Sequence, residues 1–167
     1  MKVLVSAASR HGATGEIAAA LAAAIEREGI TVLTAAPEEV TDLDGIDAVV
    51  LGSGIYAGRW LGSVRHLVER LGPALAARPV WLFSSGPVGD PPQPEGDPAE
   101  AASLVEASGA REHRVFAGRL DRRQLNLGER AIVKVVRAAD GDFRDWDAIR
   151  QWGTEIAAVL REEPAAP

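Results

Sequence analysis

Three short runs with no polar alternation restrict the fold of this chain more than anything else in it: "VLV" at 3–5, "DAVVLG" at 47–52 and "PVWLFSS" at 79–85. A strand with one wet face alternates apolar and polar residues. A run that stays apolar is buried on both faces, as in a parallel sheet covered by helices on each side. Parallel neighbours need long crossover connections, and the sequence between the runs supplies them. Residues 14–28 read as a helix with Ile17, Leu21 and Ile25 on one stripe and Gly29 just past its end. Residues 60–75 read as a second, through Leu61, Val64, Leu67, Val68 and Leu71, and 146–161 as the last, with Ile149, Trp152, Ile156 and Leu160 inward. With strands at 2–7, 30–35, 47–52, 79–85 and 112–118 and a short helix at 98–108, the pattern is a doubly wound α/β sandwich. Right-handed crossovers give a five-stranded parallel sheet in the order 2-1-3-4-5. The expected organisation is one domain over 1–162 and a disordered tail at 163–167.

Composition narrows the function classes. The chain has 167 residues, enough for a sizeable core without staples, and no cysteine, which removes disulfides, thiolate metal sites and cysteine nucleophiles. Three scattered histidines, His11, His66 and His113, do not suggest a metal centre. A net charge of −6 argues against non-specific nucleic-acid binding. No basic flank followed by an apolar stretch opens the chain, and no apolar run reaches the roughly 18 residues of a membrane span. The expected location is cytoplasmic. Nothing in the pattern fixes the oligomeric state.

In the order 2-1-3-4-5, ligands bind at the carboxyl ends of strands one, three and four. Those ends read "SAASRHGAT", "GSGIYAGRW" and "SSGPVGDPP", all rich in glycine and serine. The first runs into a helix, whose amino terminus offers free N–H groups and a positive dipole end. Ser9 and Thr14 add hydroxyls, and Gly12 lets the backbone curl inward. The triphosphate pattern G-x-x-x-x-G-K-[ST] and the dinucleotide pattern G-x-G-x-x-G are both missing, so a monophosphate is the guest that fits. An ordinary turn into a helix capped by Thr14 fits this loop equally well.

The second loop places Tyr56 and Trp60 four residues apart among glycines, where rings can stack on a flat ligand. Trp60 taken alone reads rather as a core or helix-start residue. Trp81, Trp146 and Trp152 read as core. The third loop offers N–H donors, two hydroxyls and Gly86 and Gly89 to the polar edge of a ring. Phosphate cradle, aromatic shelf and polar rim together describe a site for flavin mononucleotide (FMN).

"SRHGATGEIAAALA" resembles the phosphate loop of flavodoxins, and more closely that of the menaquinone-dependent protoporphyrinogen oxidases, a flavodoxin-fold family. "DAVVLGSGIYAGRW" is similar to their second loop. "FAGRLDRRQLNLGERAIVKVVRAADGDFRDWDAIRQW" is similar to the insertion that separates their fifth strand from the last helix and ends in a "DW" pair, here Asp145-Trp146. The resemblance implies phosphate binding at Ser9, Arg10, His11, Gly12, Ala13 and Thr14. It implies an isoalloxazine ring against Ser53, Gly54, Ile55, Tyr56, Ala57, Gly58 and Trp60 on one side and Ser85, Gly86, Pro87, Val88 and Gly89 on the other. His11 stands where flavodoxins carry threonine, Ala8 where they carry a hydroxyl, and Tyr56 where the oxidases tend to be basic.

The insertion is locally positive, with Arg119, Arg122, Arg123, Arg130, Lys134 and Arg137 against Asp121 and Glu129. Leu127, Ala131, Ile132, Val135 and Val136 fall on one helical face, with Arg130, Lys134 and Arg137 opposite. Arg122, Arg123, Arg130 and Lys134 are the candidate residues toward porphyrin propionates, an acidic partner or, as a peripheral contact, a membrane surface. The plainer arrangement is a helix packed on the body with its basic face in water. A response-regulator receiver is excluded, because it needs an acidic pair after strand one and an aspartate ending strand three, where this chain has Ser6-Ala7-Ala8 and Gly52-Ser53. No Ser-His-Asp arrangement or paired carboxylates that would support hydrolysis stand out. Two functions are left: an FMN oxidoreductase of protoporphyrinogen-oxidising type with a small-molecule or quinone redox partner, and a flavodoxin-like electron carrier without its own substrate.

Overall fold

The computed structural model describes residues 1–88, 96–121, 123 and 140–163. Its elements in chain order are β1 (Lys2–Ala8), α1 (Ala13–Arg27), β2 (Thr31–Ala35), β3 (Ala48–Tyr56), β4 (Arg59–Trp60), α2 (Gly62–Ala76), β5 (Val80–Ser85), α3 (Ala101–Ser108), β6 (Glu112–Phe116), β7 (Arg119–Leu120), β8 (Gly141–Asp142) and α4 (Trp146–Glu162). Five parallel strands lie in the order β2-β1-β3-β5-β6, and β4 hangs antiparallel on β3. This is the expected doubly wound order once β4 is counted. A separate two-stranded ribbon pairs β7 with β8.

Alternate residues of the central strands feed two cores. Val3, Val5, Ala48, Val50, Trp81 and Phe83 pack with Ile17, Leu21, Ile25, Ile149, Trp152 and Ile156 under α1 and α4. Leu4, Val49, Leu51, Val80 and Leu82 pack with Val64, Leu67, Val68, Leu75 and Leu104 under α2 and α3. That is why the runs show no alternation: both pleat faces are dry. Trp81 and Trp152 are core as expected, whereas Trp146 is half-buried at the start of α4, with the Arg144 guanidinium 4.4 Å from its ring. Close approach fixes glycine at two places. A Cβ at Gly52 would lie 2.0 Å from the Phe83 ring, and one at Gly153 would lie 2.7 Å from Ala24 Cβ, where α1 meets α4.

Three local expectations are corrected. The third strand runs four residues past Gly52, to Tyr56, and "GSGIYAGRW" is a hairpin rather than an open loop. Ala57 (φ 50°) and Gly58 (φ 75°) make its turn, both in the left-handed region that a two-residue hairpin of mirror-image type requires. Trp60 therefore belongs to β4, not to the helix, which starts at Gly62. Thr14 is not the cap of α1. Gly12 occupies that position at φ 82°, and Thr14 lies inside the first turn. The expected insertion helix with Arg130 and Lys134, the tail at 164–167, Gly89 and Arg122 lie outside the described residues.

Candidate functional site

The first loop leaves β1 through Ser9, Arg10 and His11 and enters α1 at Gly12. The first bond of the helix runs from Glu16 N–H to the Gly12 carbonyl at 3.0 Å, so the N–H groups of Ala13, Thr14 and Gly15 face out of its end. Gly54 lies beside it on β3. A Cβ there would come within 3.1 Å of Thr14 Oγ1 and 3.0 Å of the Tyr56 ring. Strand alternation aims Gly54 and Tyr56 at the α1 side and Ile55 at the α2 side. Tyr56 thus joins the first loop, with the Arg10 guanidinium 4.4 Å from its ring centroid and the His11 ring 6.1 Å away. A cavity of about 430 Å³ opens on the other flank of this loop, touching Ser9, Arg10, Glu38 and Ser63.

The third loop meets the hairpin at Gly86, where a Cβ would lie 3.1 Å from Ile55 Cβ. The Pro87 carbonyl accepts from Gly118 N–H at 2.7 Å, and Gly86 N–H donates to the Phe116 carbonyl at 3.4 Å. Of the residues expected at a ring, Ile55, Tyr56, Gly86 and Val88 are half-buried and Ala57 and Gly58 exposed. Ser53, Gly54, Trp60, Ser85 and Pro87 are not at the surface. Ser53 is fully buried and its hydroxyl accepts from Leu61 N–H at 2.9 Å, holding the start of α2. Trp60 is only 2% exposed. The core assignment for Trp60 is the right one, and the shelf is left to Tyr56.

Two arginines bind the base of the insertion to the first loop: Arg119, one of the basic residues expected there, and Arg144, which no motif marks. Arg144, its side chain 2% exposed, donates through Nε and one terminal nitrogen to Asp142 at 2.7 and 2.6 Å. Its other terminal nitrogen donates to Glu16 at 2.8 Å and to the Ala13 carbonyl at 3.1 Å. Arg119 donates to Glu16 at 3.0 Å and to the His11 carbonyl at 3.4 Å. The hydrogen bond from Arg144 is the main reason that Glu16 and Asp142 both titrate below their ordinary values, with burial opposing it. Glu16 in the first turn of α1 would repel a phosphate, and the two guanidinium groups neutralise it. Asp145 then caps α4, accepting from Asp147 and Ala148 N–H at 3.1 and 3.0 Å. Of the candidate basic residues in the insertion, the described one, Arg123, pairs with Asp121 at 3.4 Å.

A Ser-His-Asp line, unexpected from the sequence, does form. Ser84 Oγ lies 2.7 Å from His113 Nε2, and His113 Nδ1 lies 3.1 Å from Asp97 Oδ1. Hydrolysis still does not follow. Ser84 is 0% exposed, and its oxygen also accepts from the Trp60 indole N–H at 2.7 Å. Burial pushes the His113 imidazole below its ordinary value, with Asp97 pulling the other way.

The donor set of the first loop fits a flavin monophosphate: a helix amino terminus, the Ser9 and Thr14 hydroxyls, the Arg10 guanidinium, and Gly54 closing from β3 with no side chain. Among the described residues no group of three His, Asp or Glu side chains is placed to hold a metal, and no helix is long and apolar enough to cross a membrane.

Comparison with known proteins agrees with this architecture. A family described as a flavodoxin domain matches residues 4–147. Protoporphyrinogen IX dehydrogenase [quinone] of Escherichia coli (strain K12) is 24% identical over 172 residues, covering 94% of this chain and 95% of that protein. Among solved structures, a flavodoxin from the domain Archaea superposes with a TM-score of 0.66 at 16% identity, over 96% of this chain and 99% of that one. Two-electron reduced Megasphaera elsdenii flavodoxin superposes at 0.63 with 19% identity, over 95% and 99%.

Proposed function

The chain belongs to the flavodoxin-domain family, which implies FMN as cofactor and an electron-transfer role, and from that premise we propose where FMN sits and what it serves. The observation that carries the reading is the convergence of the first loop, the β3–β4 hairpin and the third loop at one end of the sheet, with the base of the insertion bonded to two of them. The phosphate rests on the N–H groups at 13–15 with the Ser9 and Thr14 hydroxyls, and Arg10 offsets its charge. The ring lies between Tyr56 with its hairpin turn and Ser85–Val88. FMN supplies the redox chemistry when bound, and this chain's residues hold it, orient it and limit access of water.

The oxidoreductase is of the protoporphyrinogen-oxidising kind, with a quinone as acceptor. The name of the Escherichia coli relative and its near full-length coverage support this assignment. The carrier reading draws on a different observation: Arg119, at the base of the insertion, is engaged with Glu16 at 3.0 Å rather than offered to a substrate. Calorimetric titration of flavin-free protein with FMN and with the adenine dinucleotide tests the site. FMN is expected to bind much more tightly, and equal affinity, or none for either, refutes it. Quinone-coupled turnover of protoporphyrinogen by the FMN-loaded protein then separates enzyme from carrier. No turnover alongside fast electron exchange with a flavodoxin reductase selects the carrier.

A further inference from the structure

We propose that Trp60, Ser84, His113 and Asp97 form a one-directional hydrogen-bond latch that positions the hairpin against the third loop, with His113 as its proton-sensitive member. Chemistry fixes the direction. An indole nitrogen only donates, so Trp60 N–H must give its hydrogen to Ser84 Oγ. With His113 neutral, Ser84 O–H donates to His113 Nε2, which must be the bare nitrogen, and His113 Nδ1–H donates to Asp97. Every donor has an acceptor, and the chain joins β4, β5, β6 and the segment leading into α3. A second proton on His113 would put N–H at Nε2, and the Ser84 hydroxyl would lose its acceptor in a place that excludes water. The latch then holds only while His113 is neutral.

Among the described residues the charged groups around His113 are few. Asp97 faces it directly from the segment before α3. From α3's entry, Glu100 accepts from the Trp60 backbone N–H and pairs with Arg59 at 3.5 Å, so hairpin and α3 are tied on the same side. β5 contributes no charge beside Ser84. On β6 itself Glu112 and Arg114 point to the opposite face, at Trp152. Protonation of His113 therefore meets one exposed carboxylate that favours it and a buried hydrogen-bond chain that opposes it. The depressed titration of His113 agrees with that balance.

The functional consequence rests on the FMN site proposed above, because both loops that the latch joins border the ring. The test compares FMN affinity from about pH 7.5 to about 5.5 in the parent and in His113→Gln, which keeps an acceptor for Ser84 and cannot titrate. The FMN phosphate itself takes up a proton near pH 6, so only the difference between the two proteins is informative. The parent is expected to lose about tenfold more affinity than His113→Gln over this range. Asp97→Asn, which keeps the acceptor and removes the charge, should move that loss to lower pH. FMN binding with the same pH profile in parent and His113→Gln overturns the latch. Absence of FMN binding at every pH in folded protein overturns the FMN site instead. In that case nitrogen NMR of the flavin-free chain still decides on the latch. A proton on His113 Nδ1 near pH 7.5, with the Trp60 indole signal shifting as His113 titrates, supports it. A proton on Nε2, or an indole signal indifferent to that titration, refutes it.

Discussion

Replacing Arg144 by methionine deletes the guanidinium that joins α1 to β8 and lies over the Trp146 ring at the start of α4. Four side-chain hydrogen bonds are lost, three to carboxylates and one to the Ala13 carbonyl. A hydrogen bond to a charged group contributes about 1.5–3 kcal/mol net, but these do not add. Glu16 and Asp142 keep side-chain exposures of 47% and 40% and regain water when the partner goes. The expected loss is about 2–4 kcal/mol, and a domain of this size then melts about 5–15 °C lower. Thermal unfolding of the flavin-free protein, followed by circular dichroism at neutral pH, measures it. Arg150→Met is the control, since that exposed pair with Asp147 should be worth about 0.5 kcal/mol at most. Both carboxyls around Arg144 titrate below their ordinary 3.8 and 4.5. A depressed folded value means stability that is present above the ordinary value and lost as pH falls through the depressed one. The gap between parent and Arg144→Met should therefore be full at neutral pH and close below about pH 4. A variant melting with the Arg150→Met control, or a gap indifferent to acid, refutes the bracket.

Thr14→Val keeps shape and removes one hydroxyl facing the proposed phosphate, worth about 1.5–3 kcal/mol, so FMN should bind about tenfold to a hundredfold more weakly; unchanged affinity makes Thr14 a purely structural member of the first turn. Gly52→Ala puts a Cβ 2.0 Å from the Phe83 ring and should cost about 3 kcal/mol in denaturant unfolding. An unshifted midpoint would mean that the Phe83 side chain has room to turn aside.

The layering was legible because it is written in single residue types. Dry strands such as "AVVLG" and "VWLF" need no alternation, and α1 and α4 carry one apolar stripe each. Val49 and Val50 show why: they are neighbours of one type on one strand, yet each is buried in a different core. The hairpin was less legible. Its turn is Ala-Gly rather than Asn-Gly, and a glycine-rich stretch reads as loop until the register of Ile55 with Trp60 is known. That register decides the site, since it buries Trp60 and turns Tyr56 to the first loop. Arg144 escaped notice for another reason. It lies 128 residues from Glu16, and no local pattern marks a guanidinium that topology alone brings back to α1. The line of Ser84, His113 and Asp97 is the extreme case, since such a constellation is recognised by geometry and not by order along the chain. Geometry also says what the line is not. A nucleophile must reach solvent and its hydroxyl must be free to attack, yet Ser84 is sealed and its oxygen already receives the Trp60 indole hydrogen. Three residue types that elsewhere cleave esters are here spent on holding two loops together, because a donor-only indole occupies the place where a substrate carbonyl would have to come.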